Sequence, residues 1–339
     1  MFVKDFSKNR GKLYLAAPKS SVMQVLRAFF TVALVAVLFS CNNDDDGNFS
    51  VAPPRLLSEV ATEDAAALQE YLSTHFYNYE DFENPPADFD YRIVLDTIAG
   101  ENTDKIALID RPELKSVTVT IESEDFGLDA GETVDHTMYY LSAREGVGGT
   151  PTRADSTFLK YEGSLLNGSV FDATSTHVWQ YLPFTLRGYR EGVSKFKTGD
   201  DIIVNPDGTT AISNAGVGVM FIPSGLGYFN TIINGIPSYS PLIFKIEVGL
   251  YVENTDYDND GIPSILEDLD GDGDVTNDNT DVEQERNFRL LELANHVDSD
   301  DDQDGTPTRD EIIIDEFGNL TFPDGDGDGI PDYLDRDNP

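Results

Sequence analysis

The chain has 339 residues, enough for two or three domains, and 40% of them are hydrophobic, enough for a packed core. Its formal net charge is -39, a surface that phosphate backbones would repel, so nucleic acid is excluded as a partner. Roughly 28 of the 62 acidic residues follow Asn254, against about four basic ones, so the tail is a separate electrostatic object.

Residues 1–22 carry an excess of Lys and Arg; they are either a long charged leading region or an upstream start, with Met23 the true one. Arg27 and the apolar run Ala28 to Phe39 follow, short for a membrane span and suited to the hydrophobic core of a signal peptide. Cys41 is the sole cysteine, which excludes an intrachain disulfide. Leu38-Phe39-Ser40-Cys41 resembles a bacterial lipobox, which implies lipidation at Cys41, a membrane anchor and a cell-envelope location. The run Asn42 to Asp46 is similar to the acidic sorting signals of Bacteroidetes-type surface lipoproteins, which points to the outer membrane and its exposed face.

Residues 42–56 read as a tether. Residues 57–115 form an N-terminal segment. Ala61, Ala65, Leu68 and Leu72 place a helix over Leu57 to Phe76, with Ser58 or Thr62 as N-cap. Residues 77–86 read as a helix and loop packing on the next domain. Short strands are expected at 91–95 and 105–109, and further strands at 117–121 and 137–143. A Gly/Pro loop over 144–154 delivers the chain to a strand at 158–165. Asn167-Gly168 is a tight reversal, and Val170-Phe171-Asp172 opens the next strand. Leu186 to Val193 reads as a short helix entered through Gly188. Strands follow at 201–204, 219–223 and 241–248, separated by an Asn205-Pro206-Asp207-Gly208 turn, an insert to about 218, and a Gly-rich loop over 224–240.

The string Tyr161-Glu162-Gly163-Ser164-Leu165-Leu166-Asn167-Gly168-Ser169-Val170-Phe171-Asp172, followed by Leu186-Arg187-Gly188-Tyr189-Arg190-Glu191-Gly192-Val193, resembles the FK506-binding-protein family of peptidyl-prolyl isomerases. The resemblance covers residues 116–252. It implies an α+β fold, a curved antiparallel sheet wrapped over one short helix. It also implies a proline pocket built by Tyr161, Phe171, Leu186, Tyr189, Ile236 and Phe244, with Asp172 and Tyr228 holding substrate backbone and Asp172 orienting rather than exchanging protons. Tyr189 stands where the family usually has Trp. Trp179 is a further candidate wall aromatic, and the insert 205–218 a candidate cover or extension of the site. The implied substrates are proline-containing polypeptides, and no cofactor is needed. The four histidines are isolated, and there is no Cys pair, G-x-S-x-G or phosphate loop.

The tail, 253–339, repeats D-x-D-x-D-G. Asp256, Asp258 and Asp260 with Glu267 form one copy. Asp300, Asp302 and Asp304 with Glu311 form a second, and Asp324, Asp326 and Asp328 with Asp335 a third. Alternating carboxylates, a glycine for the sharp turn and a late acid make an oxygen cage suited to Ca²⁺ in a structural role. Residues 268–274 suggest a partial further loop, and Val282 to His296 a single helix. With no long paired helices, the pattern is similar to thrombospondin type 3 calcium repeats. Two other functions fit the same residues: an inactive isomerase-like binding scaffold, and a calcium-dependent adhesion or assembly lipoprotein.

Overall fold

The structure, a computed structural model, describes residues 53–205, 210–233 and 235–337. The chain divides into units 1–53 and 54–339, and every element below lies in the second. The leading apolar run, Cys41 and residues 42–52 of the tether lie outside the described residues, as do residues 206–208 of the expected turn. Among the described residues no helix is long and apolar enough to cross a membrane.

Helix α1 (Leu57–Thr74) buries Leu57, Val60, Asp64, Leu68, Tyr71 and Leu72. Its apolar stripe is offset from the expected one: Ala65 is exposed and a carboxylate, Asp64, takes a core position. Neither Ser58 nor Thr62 caps it. The first free N–H, on Leu57, donates instead to Glu132 Oε2 at 2.9 Å, a cap from 75 residues away. Strand β1 (His75–Tyr77), helix α2 (Tyr79–Glu83) and β2 (Leu95–Thr97) follow, with β1 and β2 antiparallel. The strand expected over 91–95 survives only at Leu95, because the Asn78 side chain accepts from Val94 N–H (2.9 Å) and donates to the Arg92 carbonyl (3.2 Å). At 105–109 a 3₁₀ turn, Leu108–Asp110, satisfies the backbone locally through Asp110 N–H to the Ala107 carbonyl.

The sheet strands are β3 (Leu114–Glu122), β4 (Thr133–Arg144), β5 (Ser156–Leu165), β6 (Val170–Ala173) and β7 (Val178–Tyr181). After helix α3 (Arg187–Val193) and a separate hairpin, β8 (Asp201–Val204) with β9 (Thr210–Ser213), come β10 (Gly216–Ile222) and β11 (Leu242–Val252). The order is β3-β4-β10-β11-β5-β6, with β7 also on β5, and every pairing is antiparallel. The α+β class is therefore as expected.

Strand β10 is buried at all seven positions because both faces of the sheet are covered. Met220 and Ile222 pack with Val193, Phe196 and the start of α1; Val217, Val219 and Phe221 pack with Leu68, Tyr71 and Leu72 of α1 and with Tyr77 and Leu108. Period-two alternation thus feeds two cores from one strand. Helix α3 lies close against β10 because Gly188 and Gly192, one turn apart, face it. A Cβ at Gly188 would meet Ile222 Cγ2 at 2.4 Å, and one at Gly192 would meet Met220 Sδ at 2.1 Å.

The tail adds helix α4 (Val282–Phe288), α5 (Thr308–Glu311) and a two-stranded pair, β12 (Ile313–Ile314) and β13 (Leu320–Thr321). The helix expected to reach His296 stops at Phe288. Arg289 turns left-handed (φ 59°), and Glu285 Oε1 accepts the Leu293 N–H at 2.9 Å, folding the chain back. Among the described residues Ile262, Ile312 and Tyr333 form its buried apolar cluster, with Leu320 and Leu334 packed against it.

Candidate functional site

Strands β5, β6, β7 and β11, helix α3 and the loop after β10 enclose a cleft of about 520 Å³. All eight expected residues line it: Tyr161, Phe171, Asp172, Leu186, Tyr189, Tyr228, Ile236 and Phe244. The floor is dry. Tyr189 is 4% exposed, Phe244 and Ile236 are equally buried, and the Tyr189 and Phe244 rings meet edge to face at 4.9 Å. Phe171 packs edge-on against Phe244 at 5.6 Å. These rings close over the backbone at Gly163, where a Cβ would lie 2.6 Å from Phe171 and 2.9 Å from Phe244. The Gly163 of the motif is thus explained by two aromatics that need its missing side chain. Gly168 has φ 82° and is needed for the reversal into β6.

The polar groups stand at the rim. Tyr161 donates its hydroxyl to Asp172 Oδ2 at 2.6 Å, and Tyr189 donates to Gln180 Oε1 at 3.0 Å. Burial, then the bond to Asp172, pushes the Tyr161 hydroxyl up to about 12. Burial raises Tyr189 well above its ordinary value, and burial with the nearby Asp172 charge raises Tyr228. These upward shifts keep all three hydroxyls protonated at physiological pH, and those of Tyr161 and Tyr189 donate the hydrogen bonds above.

Trp179 does not form a wall. It is 55% exposed and packs on Phe158 at 5.1 Å, and its neighbour Gln180, on the opposite face of β7, reaches the cleft instead. No described residue of the insert lines the cleft either: β8 and β9 form their own hairpin, and Gly216 to Gly218 belong to central strand β10. Phe184, Thr185 and Ile233 also line the cleft and carried no motif signal.

The three acidic repeats adopt one backbone design. Gly261, Gly305 and Gly329 have φ 103°, 101° and 101°. The third aspartate of each copy accepts the N–H two residues on, at 2.7 Å (Asp260), 2.6 Å (Asp304) and 2.8 Å (Asp328). Each copy then reaches a proline, and the next N–H returns to the carbonyl just before the first aspartate: Ser264 to Thr255, Thr308 to Ser299, Asp332 to Pro323.

Asp256, Asp258 and Asp260 converge, as do Asp300, Asp302 and Asp304, with ligand oxygens within 4.8 Å of one another. Glu267 joins Asp260 as expected, but so does Asp301, a spacer residue of the second copy that spacing could not single out. Glu267 and Asp301 are each 1% exposed, and both carboxylate oxygens of each lack a hydrogen-bond partner. Burial, then the neighbouring carboxylates, pushes Glu267 up to about 10 and Asp301 to about 9. Glu311 is raised to about 8, by burial and then by Asp302, Asp304 and Asp300. Asp268 and Asp270 of the expected partial loop form a further group with Asp278, which lies outside that loop, while Asp272 and Asp274 pair with Arg187. Asp281, Glu285 and Asp298 form another, drawn together by the early end of α4. In the third copy Asp324, Asp326 and Asp328 are exposed, while Asp335 is buried. Buried carboxylate oxygens with no donor, crowded against others, fit a hard divalent cation, which would take the place of the missing donors.

No family model matches the sequence. Over 108 residues the chain is 29% identical to a probable FKBP-type peptidyl-prolyl cis-trans isomerase, FkpA, of Neisseria meningitidis serogroup B. That stretch is 31% of this chain and 34% of the relative, so the chain spans about a third of the curated relative's length. Among solved structures, FkpA from Escherichia coli overlaps 70% of this chain and 74% of its own, with 17% identity and a TM-score of 0.32. A peptidyl-prolyl cis-trans isomerase from Pseudomonas syringae pv. tomato overlaps 42% and 84%, with 19% identity and a TM-score of 0.30. Over about a third of its length, then, the chain is similar in sequence to the FKBP-type peptidyl-prolyl cis-trans isomerases.

Proposed function

We propose that residues 116–252 act as an FKBP-type peptidyl-prolyl cis-trans isomerase on X-Pro bonds of exported or cell-surface polypeptides. The observation that carries this is the convergence of all eight expected residues on one cleft with a buried floor. Rotating an amide through 90° costs ~18–20 kcal/mol because resonance is lost. The X-Pro bond has two populated isomers, so lowering this barrier has a use. The proline ring would enter among Tyr161, Phe171, Leu186, Tyr189, Ile236 and Phe244. A twisted amide separates less charge than a planar one, so an apolar enclosure favours it over water. Asp172 and Tyr228, at the rim, would hold substrate backbone and keep the bond aligned. No proton transfer or nucleophile is required.

In the tail, Ca²⁺ supplies charge that offsets the crowded carboxylates of the three copies and of the two extra groups; its role is structural. Cys41 is proposed as a lipid anchor to the outer membrane on the strength of the Leu38–Cys41 motif alone.

The test is an NMR exchange or protease-coupled assay on an X-Pro peptide, with Ca²⁺ present. Acceleration that Asp172→Val and Phe244→Ala both abolish supports the isomerase. A folded, calcium-loaded protein that gives no acceleration leaves a binding scaffold. Mass spectrometry of the mature N-terminus tests the anchor.

A further inference from the structure

We infer that the acidic tail positions the outer wall of the proline cleft, so that cation binding in the tail and peptide binding in the cleft are linked. This rests on both proposals above. The wall is the segment 182–186 between β7 and α3, which carries Phe184, Thr185 and Leu186 into the cleft. Phe184 is 64% exposed and has little of its own to hold it.

Two sets of tail contacts hold this segment. On the inner side, Arg190 of α3 donates through Nη1 to the carbonyls of Pro183 (3.3 Å) and Thr185 (3.1 Å), on either side of Phe184. Its Nη2 pairs with Asp274 of the tail at 2.5 Å, and Asp274 also pairs with Arg187 at the start of α3. Asp274 lies between members of the Asp268–Asp270–Asp278 group. On the outer side, Tyr257 stacks on Tyr181 at 4.1 Å and meets Phe184 edge-on at 5.2 Å. Tyr257 is the residue between Asp256 and Asp258. Tyr181 hydroxyl and His296 Nδ1 are 2.8 Å apart, and His296 is two residues from Asp298 of another acidic group.

The tail's own contributions to the wall, Asp274, Tyr257 and His296, therefore each spring from an acidic loop. Without a cation the carboxylates of that loop repel one another, and the apolar cluster of the tail is small, three buried side chains with two partly buried ones against them. Loosening the loops withdraws Tyr257 and Asp274 and frees the wall. A peptide that binds the ordered wall must then favour the cation-loaded tail. By thermodynamic reciprocity it tightens cation binding by the same factor that the cation tightens peptide binding.

The experiment uses the full chain. Calcium affinity is measured by calorimetry with and without a saturating X-Pro peptide, and peptide affinity by fluorescence with and without Ca²⁺. The expected result is one common factor of about 5 or more. Tyr257→Ala and Asp274→Asn, which leave the carboxylates of the grouped sets in place, should each still bind Ca²⁺ and bring the factor toward one. Calcium and peptide binding with a wild-type factor of one overturns the linkage alone. Absence of a calcium heat overturns the cation proposal and the linkage with it; absence of peptide binding in Ca²⁺ does the same through the isomerase proposal. Linkage in the wild type that neither variant diminishes overturns the assignment to these contacts.

Discussion

Gly163→Ala is the sharpest probe of the cleft. Gly163 lies between Asp172 on β6 and Phe244 on β11, its direct partners in the sheet. The new methyl would sit 2.6 and 2.7 Å from two carbons of Phe171 and 2.9 Å from one of Phe244, where ring carbons prefer about 3.5–4.0 Å. Gly163 does not have positive φ, so the cost is steric alone. Phe244 is fixed in the core, whereas Phe171 is half-buried, so Phe171 yields by about 1 Å and its ring leaves the proline position. Such overpacking costs about 1–3 kcal/mol of stability. A misplacement of this size lowers kcat/KM by roughly 10- to 100-fold. Gly168→Ala is the control: its φ of 82° costs about 1–2 kcal/mol on substitution, yet no atom lies within 4 Å of the new methyl. Urea denaturation measures the stability of both, and the X-Pro assay measures turnover. Gly163→Ala with lowered stability and wild-type kcat/KM would refute the placement of these rings around proline. Equal losses of activity in the two variants would reduce the effect to general destabilisation.

Tyr161→Phe removes the 2.6 Å bond to Asp172 and should cost about 1 kcal/mol in stability, with a several-fold loss of kcat/KM rather than abolition. A chelator should lower the thermal midpoint, and Glu267→Gln should weaken calcium affinity measured by calorimetry; a chelator-insensitive midpoint would count against a cation-held tail. Asp64 accepts the N–H and hydroxyl of Ser224 yet, mainly through burial, is raised to about 6 from 3.8. A carboxyl raised on folding binds its proton more tightly in the folded state, so stability falls as pH rises from about 4 to about 6. This slope is worth on the order of 2–3 kcal/mol. In calcium-saturated protein, Asp64→Asn should flatten it relative to wild type; identical pH profiles would contradict the burial of a charge there.

The cleft was legible because glycines and aromatics in one order leave little choice. Gly163, Gly188 and Gly192 each meet a side chain or strand that admits no Cβ, so the motif records packing as well as chemistry. What escaped depends on distant partners. The stripe of α1 is misread if only apolar residues are counted, since Asp64 is made acceptable by Ser224, 160 residues on. The cap from Glu132 and the occupation of residues 92–94 by Asn78 are side-chain effects that propensities do not contain. Gln180 was hidden behind the more conspicuous Trp179, and only strand alternation assigns the two faces. In the tail, spacing found the carboxylates that converge within the first two repeats and could not find Asp301 or Asp298, which join groups from separate stretches of chain.

Strand β10 serves two cores at once, and this bears on how the protein can be taken apart. Its amides are paired with β4 on one side and β11 on the other, under side chains that face α3 and α1 alternately. Those protons can exchange with solvent only when both cores open together, which predicts the slowest hydrogen exchange of the described residues. A fragment starting at residue 116 would retain every cleft residue but bare Leu141, Val217, Val219, Phe221 and Ile243 in a single apolar face. Such a face invites self-association. The N-terminal segment is therefore the far half of the sheet's interior, and a soluble fragment carrying the cleft has to begin before Leu57.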